Sequence, residues 1–241
     1  MQIRRFFVED IKETSASARI AGAEFTHLKK VLRLAAGDTA AVFNGRGLEL
    51  TGVIESIGRD SAEVRITGRA EGVKESPVEI ALLQGALKGD KPEFIVQKAT
   101  ELGIKEVCFY TTGRTVPELK GSGKEKRLGR AAIEAAKQCG RPVLPRVRVT
   151  DYKDAISGYT DFFKLILWEG AETGLKEALR DADAKKIAVL VGPEGGFSAE
   201  DVELARLSGF KVASLGARIL RAETAAMAIL SILQYELGDL N

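Results

Sequence analysis

Gly192-Pro193-Glu194-Gly195-Gly196-Phe197-Ser198 and Leu215-Gly216-Ala217-Arg218-Ile219-Leu220-Arg221-Ala222-Glu223-Thr224-Ala225 decide how this chain reads. Each follows a short apolar strand candidate, Ile187 to Val191 and Val212 to Ser214, and each runs into a helix. Both therefore place a backbone-rich bend at the carboxyl end of a strand. In open α/β sheets, ligands settle in the crevice outside those ends, so the pair marks a candidate small-molecule site. Neither bend has the Gly-x-Gly-x-x-Gly spacing of a dinucleotide fingerprint, and no Gly-Lys-Ser/Thr follows, so nicotinamide and ATP chemistry are poorly supported.

Outward from the bends, the chain after Pro77 alternates strands with longer helical segments, the pattern of βαβ units around a mostly parallel sheet. Val78 to Gln84, Glu106 to Thr111 and Phe163 to Trp168 read as strands; Lys91 to Leu102 and Lys124 to Cys139 read as helices stopped by Gly103 and Gly140. Ser198 with Asp201 resembles a capping box that starts a helix to Leu207. Ala222 to Leu237 is a last helix, apolar on more than one face, which must bury itself in a core or against a second subunit. Residues 1–72 read differently. Arg4 to Val8, Thr39 to Phe43, Leu48 to Ile57 and Ala62 to Gly68 are short strands, Asn44-Gly45-Arg46-Gly47 is a hairpin signal, and one helix runs from Gly22 or Ala23 to Leu32, which suggests a small β-barrel. Gly72-Val73-Lys74-Glu75-Ser76-Pro77 is a natural linker.

Bulk composition narrows the classes. With 241 residues, 45% of them apolar and 29% charged, the chain can build one large domain or two small ones. No apolar stretch approaches the roughly 20 residues that span a bilayer, and the N-terminus lacks an apolar signal core, so no membrane association is expected and the location expected is cytoplasmic. Cys108, Cys139 and a lone His27 make neither a disulfide framework nor a metal cluster, so no metal is expected. The net charge is only +2, but residues 73–150 hold 15 Lys/Arg against 9 Asp/Glu, while residues 151–241 hold 10 against 15. The basic excess lies between Arg114 and Arg148 and includes Lys120, Lys124, Lys126, Arg127, Arg130, Lys137, Arg141 and Arg146. Such a field attracts a polyanion, although a solvated helical face has the same composition.

The two bends, with Leu87-Lys88-Gly89-Asp90-Lys91, Lys98-Ala99-Thr100-Glu101-Leu102-Gly103 and Glu134-Ala135-Ala136-Lys137-Gln138-Cys139-Gly140-Arg141, resemble the knotted SPOUT class of methyltransferases. Within that class the resemblance is to the RsmE-type 16S ribosomal RNA uracil-N3 methyltransferases. It covers nearly the whole chain, including His27-Leu28-Lys29-Lys30-Val31-Leu32-Arg33 and Gly37-Asp38. One motif alone is weak; five in this order are specific. The resemblance implies an α/β fold of the SPOUT α/β-knot type, with a parallel sheet and a C-terminal trefoil knot that topology alone would argue against. It also implies a preceding PUA-like β-barrel, so that residues 1–72 form an RNA-binding domain and residues 73–241 the methyltransferase domain. A homodimer, S-adenosylmethionine as cofactor and the 16S ribosomal RNA of the small subunit as partner follow from the same resemblance.

By resemblance, the cofactor lies at Leu167, Gly192, Glu194, Gly195, Leu215, Gly216, Ile219, Leu220, Thr224 and Ala225, with glycines admitting main chain close to the ligand. The plain alternative is that these glycines only shape tight turns. Methylation at uracil N3 needs the weakly acidic imide proton removed and the charge on O2 and O4 stabilised by preorganised donors. Arg221, Arg218 and, from the N-terminal module, Arg5 are candidate donors; Glu194 or Glu223 is the candidate proton acceptor. Alternatively, Arg218 and Glu223 form an ion pair that braces the loop. Arg4, Arg5, Lys29, Lys30 and Arg33 of the barrel and Lys124, Arg127 and Arg130 of the basic helix are expected to grip RNA phosphate, while Gln138 and Arg141 are expected on the RNA side of the pocket. His27 reads as structural or RNA-contacting, Trp168 as a ligand stack or a core or lid residue, and Lys98 and Glu101 as helix-stabilising; direct transfer needs no Cys139 thiolate. Two other readings stand beside this one: a SPOUT methyltransferase acting on ribose or transfer RNA, and a catalytically silent RNA-binding or ribosome-assembly protein.

Overall fold

The computed structural model describes residues 3–70, 74–112, 122–180, 182 and 185–240. Gly72 and Val73 of the expected linker, and Arg114 and Lys120 of the basic stretch, lie outside the described residues. The chain forms two units, Met1–Glu75 with Ile133–Leu144, and Ser76–Ala132 with Pro145–Asn241.

The first unit holds β1 (Arg4–Phe7), β2 (Ser17–Ala21), α1 (Gly22–Thr26) continuing into a wide π-type turn over His27–Leu32, β3 (Thr39–Phe43), β4 (Glu49–Ile57) and β5 (Ser61–Arg69). Its sheet runs β1-β3-β4-β5-β2, with β1 parallel to β3 and the other neighbours antiparallel. Alternation sends Phe6, Ile20, Val42, Leu50, Ile54 and Val64 into one core that Phe25 and Leu28 of the helical segment complete. At the β3–β4 hairpin, the Asn44 carboxamide oxygen accepts from the Arg46 and Leu48 amides, and residues 142–144 pair back onto the turn through Gly47 N to Pro142 O and Leu144 N to Gly45 O.

In the second unit, β6 (Glu79–Gly85), β7 (Glu106–Thr111), β8 (Arg146–Asp151), β9 (Phe163–Leu167), β10 (Lys186–Val191) and β11 (Lys211–Ala213) make one parallel sheet in the order β11-β9-β10-β6-β7-β8. Central strands β6 and β10 are apolar almost throughout because both faces are covered. One face packs Ile80, Leu82, Val107, Phe109 and Val189 against Ile95, Val96 and Ala99 of α2 (Lys91–Glu101) and Ile229, Leu230 and Leu233 of the C-terminal helix, Ala222–Leu237. On the other, Leu83, Tyr110, Ile166 and Leu190 meet Tyr152, Ala155 and Ile156 of the helix Tyr152–Ser157 and Val202 and Ala205 of the helix Ala199–Leu207. In chain order the helices after α2 are α3 (Ser122–Cys139), α4 (Tyr152–Ser157), α5 (Leu175–Ala178), α6 (Ala199–Leu207) and α7 (Ala222–Leu237).

Local chemistry sets the boundaries. Ser198 and Asp201 make the reciprocal capping box that starts α6. The buried Gln234 side chain of α7 donates to Leu102 O at the end of α2 and accepts from Ser76 Oγ, which ties the last helix to the second. From β6 the chain moves one way across the sheet to β7 and β8, and then crosses to β9, β10 and β11 on the other side. That reversal is a topological switch point, where a crevice opens at the carboxyl ends of the strands.

Candidate functional site

A cavity of about 480 Å³ lies at that edge, within the range of small-ligand pockets. Its walls come from four places: Lys91 at the start of α2, Leu167 to Glu169 after β9, Val191 to Phe197 after β10, and Leu215 to Ala225 except Ala217 and Thr224. The structure thus brings together the two bends quoted first. Of the residues expected at a cofactor, Leu167, Gly192, Glu194, Gly195, Leu215, Gly216, Ile219, Leu220 and Ala225 line the cavity; Thr224 is exposed and does not.

Close backbone approach explains how the bend after β10 is held. A Cβ on Gly85, at the end of β6, would lie 2.3 Å from Pro193 N, so only glycine lets β6 abut the Gly192–Pro193 peptide. Two fully buried side chains fix the carbonyls there. Tyr110 Oη donates to Val191 O at 2.8 Å, and Gln84 Nε2 donates to Gly192 O at 3.0 Å. Burial pushes the Tyr110 phenol well above its ordinary range, so it remains a donor. Gly216 opens the second bend at φ 105°, a left-handed conformation that suits glycine.

The charges around the cavity alternate in sign. Lys91 Nζ lies 2.6 Å from Glu194 Oε1 and 3.5 Å from Glu223 Oε1, and the bond to Glu194 is the largest cause raising the Lys91 amine above its usual value. Glu223 Oε2 is buried and has no hydrogen-bond partner among the described residues. Arg218 and Arg221 line the cavity, are exposed, and make no ion pair among the described residues. Glu223 pairs with Lys91, so the expected Arg218–Glu223 brace does not form; a cation from α2 takes the acid. Sequence reasoning did not single out Lys91. A local signal existed: a lysine opening a helix opposes the macrodipole, which favours acids there, and so implies partners elsewhere.

Trp168 and Phe197 also line the cavity. The lining offers apolar surface for a heterocycle (Leu167, Leu215, Leu220), glycine main chain for close hydrogen bonds, and carboxylates for a cation (Glu169, Glu194), a donor set that fits S-adenosylmethionine.

The other expected residues fall in different settings. Arg5 is held within the first unit: Nε and Nη2 donate to both Glu49 oxygens at 2.8 Å, Nη2 also reaches Arg141 O at 3.0 Å, and Nη1 donates to Ala136 O. Its guanidinium stacks 4.7 Å from the Phe43 ring centroid. These contacts occupy the fork that substrate carbonyls would need. Arg141, buried, makes a bidentate pair with Glu75. Arg4, Lys29, Lys30, Arg33, Lys124, Arg127, Arg130 and Gln138 are exposed; Lys29 also donates to Gly58 O, and Arg127 pairs with Glu93 at 2.7 Å. His27 and Gln138 line a separate groove in the first unit with Ile3, Arg4 and Leu32. Burial pushes the Cys108 thiol up to about 11, and Cys139 stands partly exposed at the end of α3. Among the described residues no group of three or more His, Cys, Asp or Glu could hold a metal ion, and no helix is long and apolar enough to cross a membrane.

Comparison with known proteins agrees with this architecture. Residues 74–234 match the family model described as an RNA methyltransferase domain, and residues 20–67 match an RNA methyltransferase PUA domain. The Bacillus subtilis ribosomal RNA small subunit methyltransferase E is 29% identical over 97% of both chains. A crystal structure of the Neisseria gonorrhoeae ribosomal RNA small subunit methyltransferase E bound to S-adenosyl methionine superposes with a TM-score of 0.90, 27% identity and full coverage of both chains. A Legionella pneumophila protein solved in complex with the bound cofactor SAM gives the same TM-score at 32% identity, again over both whole chains. The chain belongs to the RNA methyltransferase family in which a PUA domain is followed by a methyltransferase domain, and within it to the ribosomal RNA small subunit methyltransferases E.

Proposed function

We propose that the protein transfers the methyl group of S-adenosylmethionine to N3 of a uridine in the 16S ribosomal RNA of the small subunit. The observation that carries this reading is the cavity at the sheet's switch point, built from two glycine bends in a family whose relatives were solved with that cofactor. When bound there, the cofactor supplies an electrophilic methyl group. Leu167, Gly192, Glu194, Gly195, Leu215, Gly216, Ile219, Leu220 and Ala225 would hold it, with Thr224 beside them on α7. Arg221, which makes no ion pair among the described residues, stabilises charge on the uracil carbonyls; Glu194 or Glu223 takes the imide proton. Arg5 is assigned a positioning role, because its donors are already engaged.

Residues 1–72 serve as the RNA-binding domain and residues 73–241 as the methyltransferase domain. Exposed Arg4, Lys29, Lys30, Arg33, Lys124, Arg127, Arg130 and Gln138 grip RNA backbone, and Arg141 acts through Glu75 as a brace. The C-terminal segment is proposed to thread the loop before it as a trefoil knot, and the protein to work as a cytoplasmic homodimer. In support of the dimer, Thr224, Ala228, Ser231, Ile232 and Tyr235 form a half-open stripe along α7, and Tyr235 is 60% exposed.

Incubating the protein with labelled cofactor and unmodified small subunits, then mapping the product nucleoside by mass spectrometry, tests the reading. N3-methyluridine is expected; recovery of a 2′-O-methyl nucleoside would overturn the assigned target, and absence of cofactor binding in calorimetry would point to a silent RNA-binding protein.

A further inference from the structure

The two carboxylates bridged by Lys91 are not equivalent. Glu194 gives Oε1 to Lys91 at 2.6 Å and its side chain is 37% exposed, whereas Glu223 is 18% exposed, touches Lys91 only through Oε1 at 3.5 Å, and keeps Oε2 buried without a partner among the described residues. A buried acceptor lacking a donor is costly to maintain and calls for a ligand that supplies one. We propose that Glu223 is the group that accepts the N3 proton of the target uracil, with Lys91 and Glu194 as its positioning residues, an assignment that rests on the uridine-N3 reading above.

The chemistry balances within the established reagents. The N3–H proton passes to Glu223 Oε2, the N3 electron pair forms the bond to the sulfonium methyl carbon, and the carbon–sulfur bond breaks with its pair remaining on sulfur as a neutral thioether. Glu223 then releases its proton to solvent. A carboxylate suffices as base because the imide proton grows more acidic as the nitrogen becomes alkylated, so transfer need only accompany bond formation.

Charges of both signs surround Glu223. Lys91 of α2 pairs with it, and Glu194 of the bend after β10, Glu169 after β9, and Arg218 and Arg221 of the loop after β11 line the same cavity. Glu223 itself sits in the first turn of the 16-residue α7, where the helix dipole favours a carboxylate. Lys91 is held charged by Glu194, so Glu194 acts through the lysine and leaves Glu223 Oε2 available.

The test uses the full chain on small subunits under single-turnover conditions with saturating cofactor. Glu223→Gln should lower the rate by about 100-fold or more while cofactor Kd in calorimetry stays within about threefold, the span expected for loss of a general base. Its residual rate should rise with pH as hydroxide substitutes for the carboxylate, and Glu223→Asp should restore part of the activity. Glu194→Gln should cost less than about tenfold and retain the shape of the wild-type pH profile. A rate for Glu223→Gln near that of wild type, a larger loss in Glu194→Gln, or a cofactor affinity that falls in step with the rate would overturn the assignment. If Glu223→Gln does not fold, Glu223→Asp decides alone: a slower rate at unchanged Kd is expected, and an unchanged rate refutes the role. Mapping the wild-type product on the same subunits separates the two levels, because a product other than N3-methyluridine overturns the functional reading itself.

Discussion

Arg5 and Arg141 of the first unit and Arg218 and Arg221 of the second are used in opposite ways. In the first, Arg5 is 11% exposed and spends its fork on Glu49 and backbone carbonyls, and Arg141 is likewise taken up by Glu75. In the second, Arg218 and Arg221 stand exposed at a cavity and make no ion pair among the described residues. A saturated guanidinium fixes structure; an unsatisfied one beside a cavity can bind. The cavity itself is shaped mainly by main chain, so its side chains are left to meet a ligand, while the first unit uses long side chains to hold its own segments together.

The largest effect should therefore come from the saturated arginine. Arg5→Ala leaves the Glu49 carboxylate, 7% exposed, buried without its partner, and is expected to destabilise the chain by about 3–5 kcal/mol in urea unfolding. Replacing both residues, as Arg5→Met with Glu49→Leu, should recover much of that loss, since no charge is then stranded. Arg221→Ala should do the reverse, leaving the unfolding midpoint nearly unchanged and lowering methyl transfer. If Arg221→Ala unfolded the protein and Arg5→Ala only slowed turnover, the contrast between the units would fail.

Next in size is the test of a pocket shaped by main chain. Gly85→Ala puts a methyl group 2.3 Å from Pro193 N, where no flexible side chain can yield, so the Gly192–Pro193 turn has to move. Overpacking of this kind costs about 1–3 kcal/mol. Cofactor affinity measured by calorimetry should fall by about tenfold or more, as 1.4 kcal/mol corresponds to a factor of ten. Affinity equal to wild type would show that the bend does not shape the binding site.

How much of this was legible depended on whether a segment's signal was local. The parallel sheet, the two bends, the capping box at Ser198 and the final helix could be read, because strand runs such as Ile187 to Val191 and breakers such as Gly103 announce themselves within a few residues. β2 has no clear signal in the sequence: Ser17-Ala18-Arg19-Ile20-Ala21 alternates strictly in burial, but it is five residues long and Ile20 is its one large apolar side chain. β8 was missed for another reason. Arg146 and Arg148 count toward a basic stretch, yet they alternate with Val147 and Val149 along an edge strand, and Arg148 is paired with Glu106 and Tyr159. Charge composition gives the number of cations and cannot say which are already neutralised, as with Arg5, counted among the barrel's basic residues and engaged by Glu49. Lys91 and the buried oxygen of Glu223 depend on α2, the bend after β10 and α7 meeting in space, which no single window of sequence contains.

Tyr110→Phe gives a smaller and more selective test of the same bend. It removes the donor to Val191 O and leaves a buried carbonyl short of a partner, at a cost of about 1–2 kcal/mol. Cofactor affinity should weaken along with stability, whereas a core truncation of similar cost elsewhere, such as Ile80→Val, should leave affinity alone. Equal affinities in the two variants would mean that Tyr110 merely packs.

The smallest effect probes where main-chain shaping of the cavity ends. Ser198 closes the glycine bend and opens α6, its Oγ accepting from the Asp201 amide at 3.1 Å while the Asp201 carboxylate accepts from the Ser198 amide at 2.9 Å. Ser198→Ala deletes one half of that exchange and should cost about 1 kcal/mol of stability, the usual value of an N-cap. Ser198 does not line the cavity, but Phe197 beside it does, with its ring against Gly192. Hydrogen exchange should therefore speed up in the first turn of α6 with cofactor Kd unchanged, because the Tyr110 and Gln84 bonds still hold the other end of the bend. A marked loss of affinity in Ser198→Ala would instead make the helix cap part of the binding apparatus and move the boundary between scaffold and site into α6.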